Sequence, residues 1–123
     1  MSMEEMREPT FLVLAALADG PRHGYATIGE VSAMSGGRVN LRPGTLYGAL
    51  DRLAGEGLVQ VDHEEIVNGR LRRYYALTNE GAAVLAAQTE RMRANAAEAE
   101  RRLGVRTRHL PGSATVAGMA AGG

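Results

Sequence analysis

From Phe11 to Ala18 the chain is apolar at every position, FLVLAALA. No polar face interrupts the run, so a helix here has to be buried on most sides. Thr10 is placed to cap its start, and Asp19-Gly20-Pro21 to stop it. Residues 1–9 are polar, end in Pro9, and read as a frayed lead-in. A second helix is expected from Tyr25 to Ser35, with Tyr25, Ile28 and Val31 roughly on one face and Gly36-Gly37 at its end. Arg38 to Arg42 reads as an extended link. Pro43 then opens a third helix, in whose first turn a missing N–H costs nothing. Leu46, Ala49, Leu50 and Leu53 recur at i, i+3, i+4 and i+7, which makes one face core, and Gly57 is the expected C-cap. The opposite face carries Gly44, Thr45, Gly48, Asp51 and Arg52, with Tyr47 at its edge.

The period then changes from helical to two. Leu58–Glu65 and Arg70–Leu77 read as strands joined by Asn68-Gly69, a strong hairpin signal. In the second strand Leu71, Arg73, Tyr75 and Leu77 share one face, and Arg70, Arg72 and Tyr74 the other. Thr78 caps a last, long helix with Glu80 in its first turn. Leu85, Thr89, Met92, Ala96, Ala99 and Leu103 space along it as 4-3-4-3-4, a seam of small residues weaker than a leucine zipper. Glu98 and Arg102 form a favourable i, i+4 pair.

Three helices, a hairpin and a long helix make a mainly α fold with a small β-hairpin. This is a winged helix-turn-helix over residues 10–78, followed by a long C-terminal dimerisation helix over 79–103. Residues 104–123 lack periodicity and read as a disordered tail. In a winged helix-turn-helix the third helix enters a major groove with its N-terminal residues at base edges. The small side chains Gly44, Thr45 and Gly48 would let backbone approach DNA closely. Arg70, Arg72 and Arg73 concentrate positive charge in the hairpin. Asp62, Glu64 and Glu65 on the first strand would repel phosphate if they faced it.

Composition narrows the classes. Fourteen Arg, with no Lys, balance fourteen Asp plus Glu, so any DNA binding rests on local rather than net charge. Without cysteine there is no disulfide framework, thiol chemistry or Cys-based zinc site. No apolar run reaches the roughly 18–20 residues of a membrane span. The acidic start is unlike a basic secretory signal, so a soluble, cytoplasmic protein with no membrane partner is expected. His63 lies beside Asp62, Glu64 and Glu65, but alternate strand residues point to opposite faces, which argues against a metal site. No phosphate-cradling loop or other cofactor motif occurs, so no cofactor is expected and the chain is not expected to be an enzyme.

The pieces GPRHGYATI at 20–28, RPGTLYGALDRL at 42–53, EGLV at 56–59 and GRLRRYYALTNEG at 69–81 resemble the PadR family of bacterial transcription regulators. The resemblance covers about residues 10–82. It implies a homodimeric repressor on a palindromic double-stranded DNA operator, with the long C-terminal helix packed on the partner. It places Tyr25, Pro43, Gly44, Thr45 and Tyr47 in the DNA-facing helix-turn-helix and Arg70, Arg72 and Arg73 in the wing. The family's usual proline between the first two wing arginines is Leu71 here. The single short C-terminal helix matches the smaller subfamily; it has no Trp or other aromatic, so a flat-ligand stacking site there is not supported. The apolar first helix and the seam of the last leave much apolar surface for so small a domain, so a homodimer joined through Phe11, Leu14, Leu85, Met92 and Leu103 is expected. Two alternatives stay open. One is a winged-helix protein-interaction module without DNA binding, favoured by zero net charge. The other is a ligand-gated regulator, although no convergent polar set names a small-molecule effector.

Overall fold

The computed structural model describes residues 6–109, the last of them by its backbone alone. The elements, in chain order, are α1 (Glu8–Ala16), β1 (Arg22–His23), α2 (Gly24–Met34), α3 (Pro43–Gly55), β2 (Val59–Val67), β3 (Arg70–Leu77) and α4 (Asn79–His109). The described residues fall into two compact units that divide between Gln88 and Thr89. The first holds everything from α1 to the opening turns of α4; the second is the remainder of α4.

α1 starts three residues earlier than expected. Pro9 sits in its first turn, where no N–H is needed, and Glu8 adds a favourable charge at the positive end of the helix. Thr10 is therefore inside the helix rather than its cap, and its Oγ1 accepts a hydrogen bond from Arg52 of α3 at 3.2 Å. At the other end Arg22 donates from Nε to the carbonyl of Ala16 at 2.7 Å, which satisfies one of the acceptors a helix terminus leaves open. Leu12, Val13, Leu14 and Ala16 are buried, as a helix apolar all round requires.

In α2, Thr27 and Val31 face inward, while Tyr25, grouped with Ile28 and Val31 from spacing alone, is 68% exposed. The buried Thr27 hydroxyl donates to the His23 carbonyl at 2.9 Å, so the polar group is not lost to the core. Leu46, Leu50 and Leu53 of α3 are all fully buried, against a core that includes Leu14, Leu17, Val31, Leu58 and Tyr75. α3 ends at Gly55, and Gly57, at φ +78°, takes the left-handed position beyond the Glu56 cap. Its N–H donates to Ala54 and that of Leu58 to Leu53, the paired bonds of a Schellman motif.

β2 and β3 form the antiparallel hairpin, joined at Asn68 (φ +53°) and Gly69 (φ +76°), two left-handed residues as a tight primed turn demands. A register shift between Val61 and His63 bulges β2 at Asp62. The unexpected element is β1, whose Arg22 and His23 pair with Tyr75 and Tyr74, so that the sheet has three strands in the order β1-β3-β2. Thr78 caps α4 as expected: its Oγ1 accepts from the Gly81 N–H at 2.9 Å and donates to the Gly57 carbonyl at 2.6 Å. α4 continues past Gly104 to His109, six residues beyond the expected limit. Glycine weakens a helix interior by only about 1 kcal/mol, and the arginines that follow are good helix formers. The rest of the expected tail, residues 110–123, lies outside the described residues.

Candidate nucleic-acid interface

The exposed face of α3 is built by default. With Leu46, Leu50 and Leu53 committed to the core, the helical period turns Pro43, Gly44, Thr45, Tyr47, Gly48 and Asp51 outward, and all are exposed. A Cβ added at Gly44 or Gly48 would meet no atom within 4 Å, so this side of the helix is open. Its first turn contains no acidic residue and its N-cap, Arg42, makes no side-chain cap bond. The positive end of the helix therefore faces outward beside a cation.

Tyr47 leans across to α2. The hydroxyl end of its ring lies against Gly24 so closely that a Cβ there would collide with the hydroxyl oxygen and fall 2.6 Å from Tyr47 Cζ and 3.0 Å from Cε1. Only glycine allows this approach. Tyr25 stands next to Gly24 at the start of α2, and β1 carries that start onto the hairpin. The result is a cleft of about 320 Å³ whose lining includes Tyr25 and Tyr47 on the helical side and Arg70, Leu71, Arg72 and Arg73 on the wing. Residues 25, 47, 70, 72 and 73, far apart in sequence, are thus brought together.

The three arginines are not equivalent. Arg73 is bound from Nε to Glu64 Oε2 at 2.8 Å, directly across the hairpin. Arg70 and Arg72 form no ion pair among the described residues. Arg70 lies opposite Val67 and Arg72 opposite Glu65. Glu65 in turn accepts from the Tyr74 hydroxyl at 3.3 Å. Of the three acids on β2, Glu64 is therefore spent on Arg73, and Asp62 is bound to His63 at 2.6 Å.

His23, which precedes the start of α2 in the sequence, also lines the cleft. Its Nδ1 caps α2 by accepting from the Ala26 N–H at 3.4 Å, which places the ring proton on Nε2. Burial lowers its pKa and the charge of Arg72 lowers it further, against an opposing effect of Glu65, a balance that favours the neutral ring. It meets Tyr74 edge-on at 5.4 Å between ring centroids. On the other side of the hairpin partner, His63 stacks on Tyr74 at 4.3 Å. The hydrogen bond with Asp62 raises the His63 pKa, against an opposing effect of burial. Two histidines on one tyrosine are thus biased in opposite directions. Among the described residues, no three His, Asp or Glu side chains are placed to hold a metal ion, and no helix is long and apolar enough to cross a membrane.

The residues expected at a dimer interface separate. Leu14 is fully buried within the single chain and has no surface to give a partner. Its helix is apolar all round because its own domain encloses it. Phe11 and Leu85 are partly buried against the same core. Met92 and Leu103 on α4 are 44% and 60% exposed. Glu98 is paired with Arg101 at 2.7 Å and with Arg102 at 2.6 Å.

Comparison with known proteins agrees with this architecture. The family model described as "Transcriptional regulator PadR-like family" matches residues 13–87, more than half of the chain. A transcriptional regulator of Mycobacterium tuberculosis is 42% identical over 73 residues, which is 59% of this chain and 64% of the relative. The crystal structure of a PadR family transcriptional regulator from Eggerthella lenta superposes with a TM-score of 0.65 at 25% identity, covering 77% of this chain and 80% of that one. Bacillus subtilis PadR, solved in complex with operator DNA, shares the fold at a TM-score of 0.59 and 22% identity, over 66% of this chain and 47% of its own. The matches span 22% and 64% of the lengths of the two curated relatives that are 46% and 42% identical to the chain.

Proposed function

The chain belongs to the PadR-like family of transcriptional regulators, and on that premise we propose that it is a sequence-specific DNA-binding repressor, acting as a homodimer on a palindromic operator. α3 lies in the major groove with Pro43, Gly44, Thr45 and Tyr47 toward the bases. Thr45 offers a methyl to thymine and a hydroxyl to a base edge or phosphate, and Tyr47 a phenolic donor. Tyr25, Arg70 and Arg72 hold the backbone; phosphate contacts position the protein and base contacts specify the sequence. Arg73 serves mainly to fold the wing, because Glu64 already neutralises it. The single observation that carries this reading is the cleft that joins Tyr25 and Tyr47 to the wing arginines beside the open face of α3. The Bacillus subtilis fold relative solved with operator DNA is in keeping with it. The stripe with Met92 and Leu103 on α4 is the surface for the second copy.

The test is binding to duplexes that the protein itself selects from a random library, against scrambled duplexes, over a range of salt. A DNA reader prefers the selected duplex and loses affinity steeply with salt as phosphates are neutralised. The rival reading, a protein-interaction module, draws on the zero net charge and the acidic strand β2. It predicts no selected duplex and no such slope.

A further inference from the structure

Two large aliphatic side chains sit near the tip of the wing with nothing over them. Ile66 is 70% exposed and Leu71 58% exposed. They are direct cross-strand partners, one rung from the Asn68-Gly69 turn, so their side chains stand together on one face of the hairpin. A lone exposed aliphatic residue needs no explanation. A paired ridge at the end of a two-stranded arm is different, because nothing else in the arm shelters it. The rungs on either side carry cations on the opposite face: Arg70 across from Val67, and Arg72 across from Glu65. The arm therefore ends in an apolar ridge backed by guanidinium groups. Leu71 also lines the cleft that Tyr25 and Tyr47 enter, so the ridge is continuous with the surface assigned to DNA.

The minor groove of DNA matches this combination. Its walls are the C–H faces of the sugars, its floor is base edges, and its rims are phosphates. Apolar wedges set there part the base stack and kink the duplex, at a deformation cost that depends on the step being opened. Pyrimidine–purine steps yield most readily and A-tracts least.

We propose that the wing tip enters the minor groove beside the major-groove site as a wedge, with Leu71 and Ile66 against the walls and floor and Arg70 and Arg72 at the phosphate rims, so that the chain reads the deformability of flanking DNA that α3 never touches. This rests on the DNA-binding reading above and adds a second source of selectivity to it. Thr45 and Tyr47 discriminate by base edges. Leu71 and Ile66 discriminate by how easily a step opens.

The experiment uses the full chain and a duplex it selects from a random library, made in two forms that differ only in the flank the wing reaches. One form carries TA and CA steps and the other an A-tract. 2-Aminopurine placed at the flanking step reports unstacking as a rise in fluorescence. Wild-type protein is expected to prefer the flexible flank by about fivefold, the low end of what one unfavourable position costs a DNA reader, with a fluorescence rise on binding. The variant carrying Leu71→Thr and Ile66→Thr places β-branched strand formers at both positions. It should hold its melting temperature, its discrimination against a mutated core site and its salt slope, but lose both the flank preference and the fluorescence rise. Arg70→Ala with Arg72→Ala is the converse control, flattening the salt slope. A threonine variant that keeps the flank preference and the fluorescence rise overturns the wedge. So does a wild-type protein that selects a core site but ignores its flank; in that case DNA reading by α3 stands alone. Failure to select any duplex overturns both.

Discussion

Gly24→Ala would move the Tyr47 ring without altering Tyr47 itself. Gly24 opens α2 and is buried, and its φ is not in the left-handed region, so alanine meets no backbone penalty. The obstacle is the ring. The new methyl would lie 2.6 Å from Cζ and 3.0 Å from Cε1, where carbon atoms in contact normally stand about 3.5–4.0 Å apart. The ring has to retreat by roughly 1 Å to restore that separation. Were it locked in place, overpacking of this kind would cost about 1–3 kcal/mol. Tyr47 is 38% exposed, however, so it can swing toward solvent. Alanine also restricts the unfolded chain, worth about 0.4–1 kcal/mol in favour of folding. The two effects offset, and the melting temperature should move by no more than about 5 °C. DNA selectivity should not survive so well. With the phenol displaced from the mouth of the cleft, affinity for the selected duplex should fall by roughly 1–3 kcal/mol, with little change on scrambled DNA. Thermal denaturation and fluorescence anisotropy on both duplexes read the two quantities. Wild-type selectivity in Gly24→Ala would refute the claim that the seat on Gly24 positions Tyr47 for reading. A collapse of stability would refute the claim that the ring is free to move.

Gly81→Ala makes the opposite case. Its methyl would fall 2.9 Å from the Leu58 carbonyl carbon and 2.8 Å from Leu77 Cδ1. Backbone cannot swing aside, so a loss of about 3 kcal/mol and a fall in melting temperature of about 10 °C or more are expected by thermal denaturation. The pH dependence of stability should carry two signals of opposite sign, separable by urea denaturation of single variants. His63 has its pKa raised by Asp62, so its contribution is full below the ordinary value of about 6.5 and is lost as pH rises through the raised value. His63→Gln should remove that dependence. His23 has its pKa lowered by burial, so its contribution is present above about 6.5 and is lost as pH falls through the lowered value. On the proposed homodimer, Met92→Glu puts a charge on the exposed stripe of α4 and should give monomer in sedimentation where the wild type is expected to give dimer, while thermal unfolding of the winged-helix unit is unchanged. A dimer that survives this change would place the interface elsewhere.

Periodic features were legible in the sequence, and features made by long-range contact were not. The leucines of α3, the Asn68-Gly69 turn and the Thr78 cap carry their meaning in spacing or in one residue type, and the structure has all of them. β1 left no trace because two residues cannot display a period; Arg22 and His23 become a strand only when β3 lies beside them. Leu14 shows the limit of reading apolar runs. A helix apolar all round signals burial but cannot say whether the cover is its own domain or a second chain, and here Leu14 is fully enclosed by its own domain. The strand period set Arg73 on the opposite face from Arg70 and Arg72, but it did not name the acid that Arg73 meets. The hairpin register, fixed by the two-residue turn at Asn68-Gly69, set Arg73 across from Glu64 and left Arg70 and Arg72 without ion pairs among the described residues. Nothing in the spacing of the sequence marks Gly24. That it is the seat of Tyr47, nearly two dozen residues away, could not be inferred before the helices were packed.

The central claim is a division of labour between α3, which reads, and the wing, which holds. It is tested most directly by measuring affinity for the selected and scrambled duplexes, over a series of salt concentrations, for wild type, Thr45→Ala, Tyr47→Ala and Arg70→Ala with Arg72→Ala. The account predicts that the two α3 variants lose roughly 1–3 kcal/mol on the selected duplex alone, with the salt slope unchanged. The wing variant should weaken on both duplexes alike and lose about two units of slope, one for each phosphate contact removed. Loss of selectivity in the wing variant together with uniform weakening in the α3 variants would contradict the account.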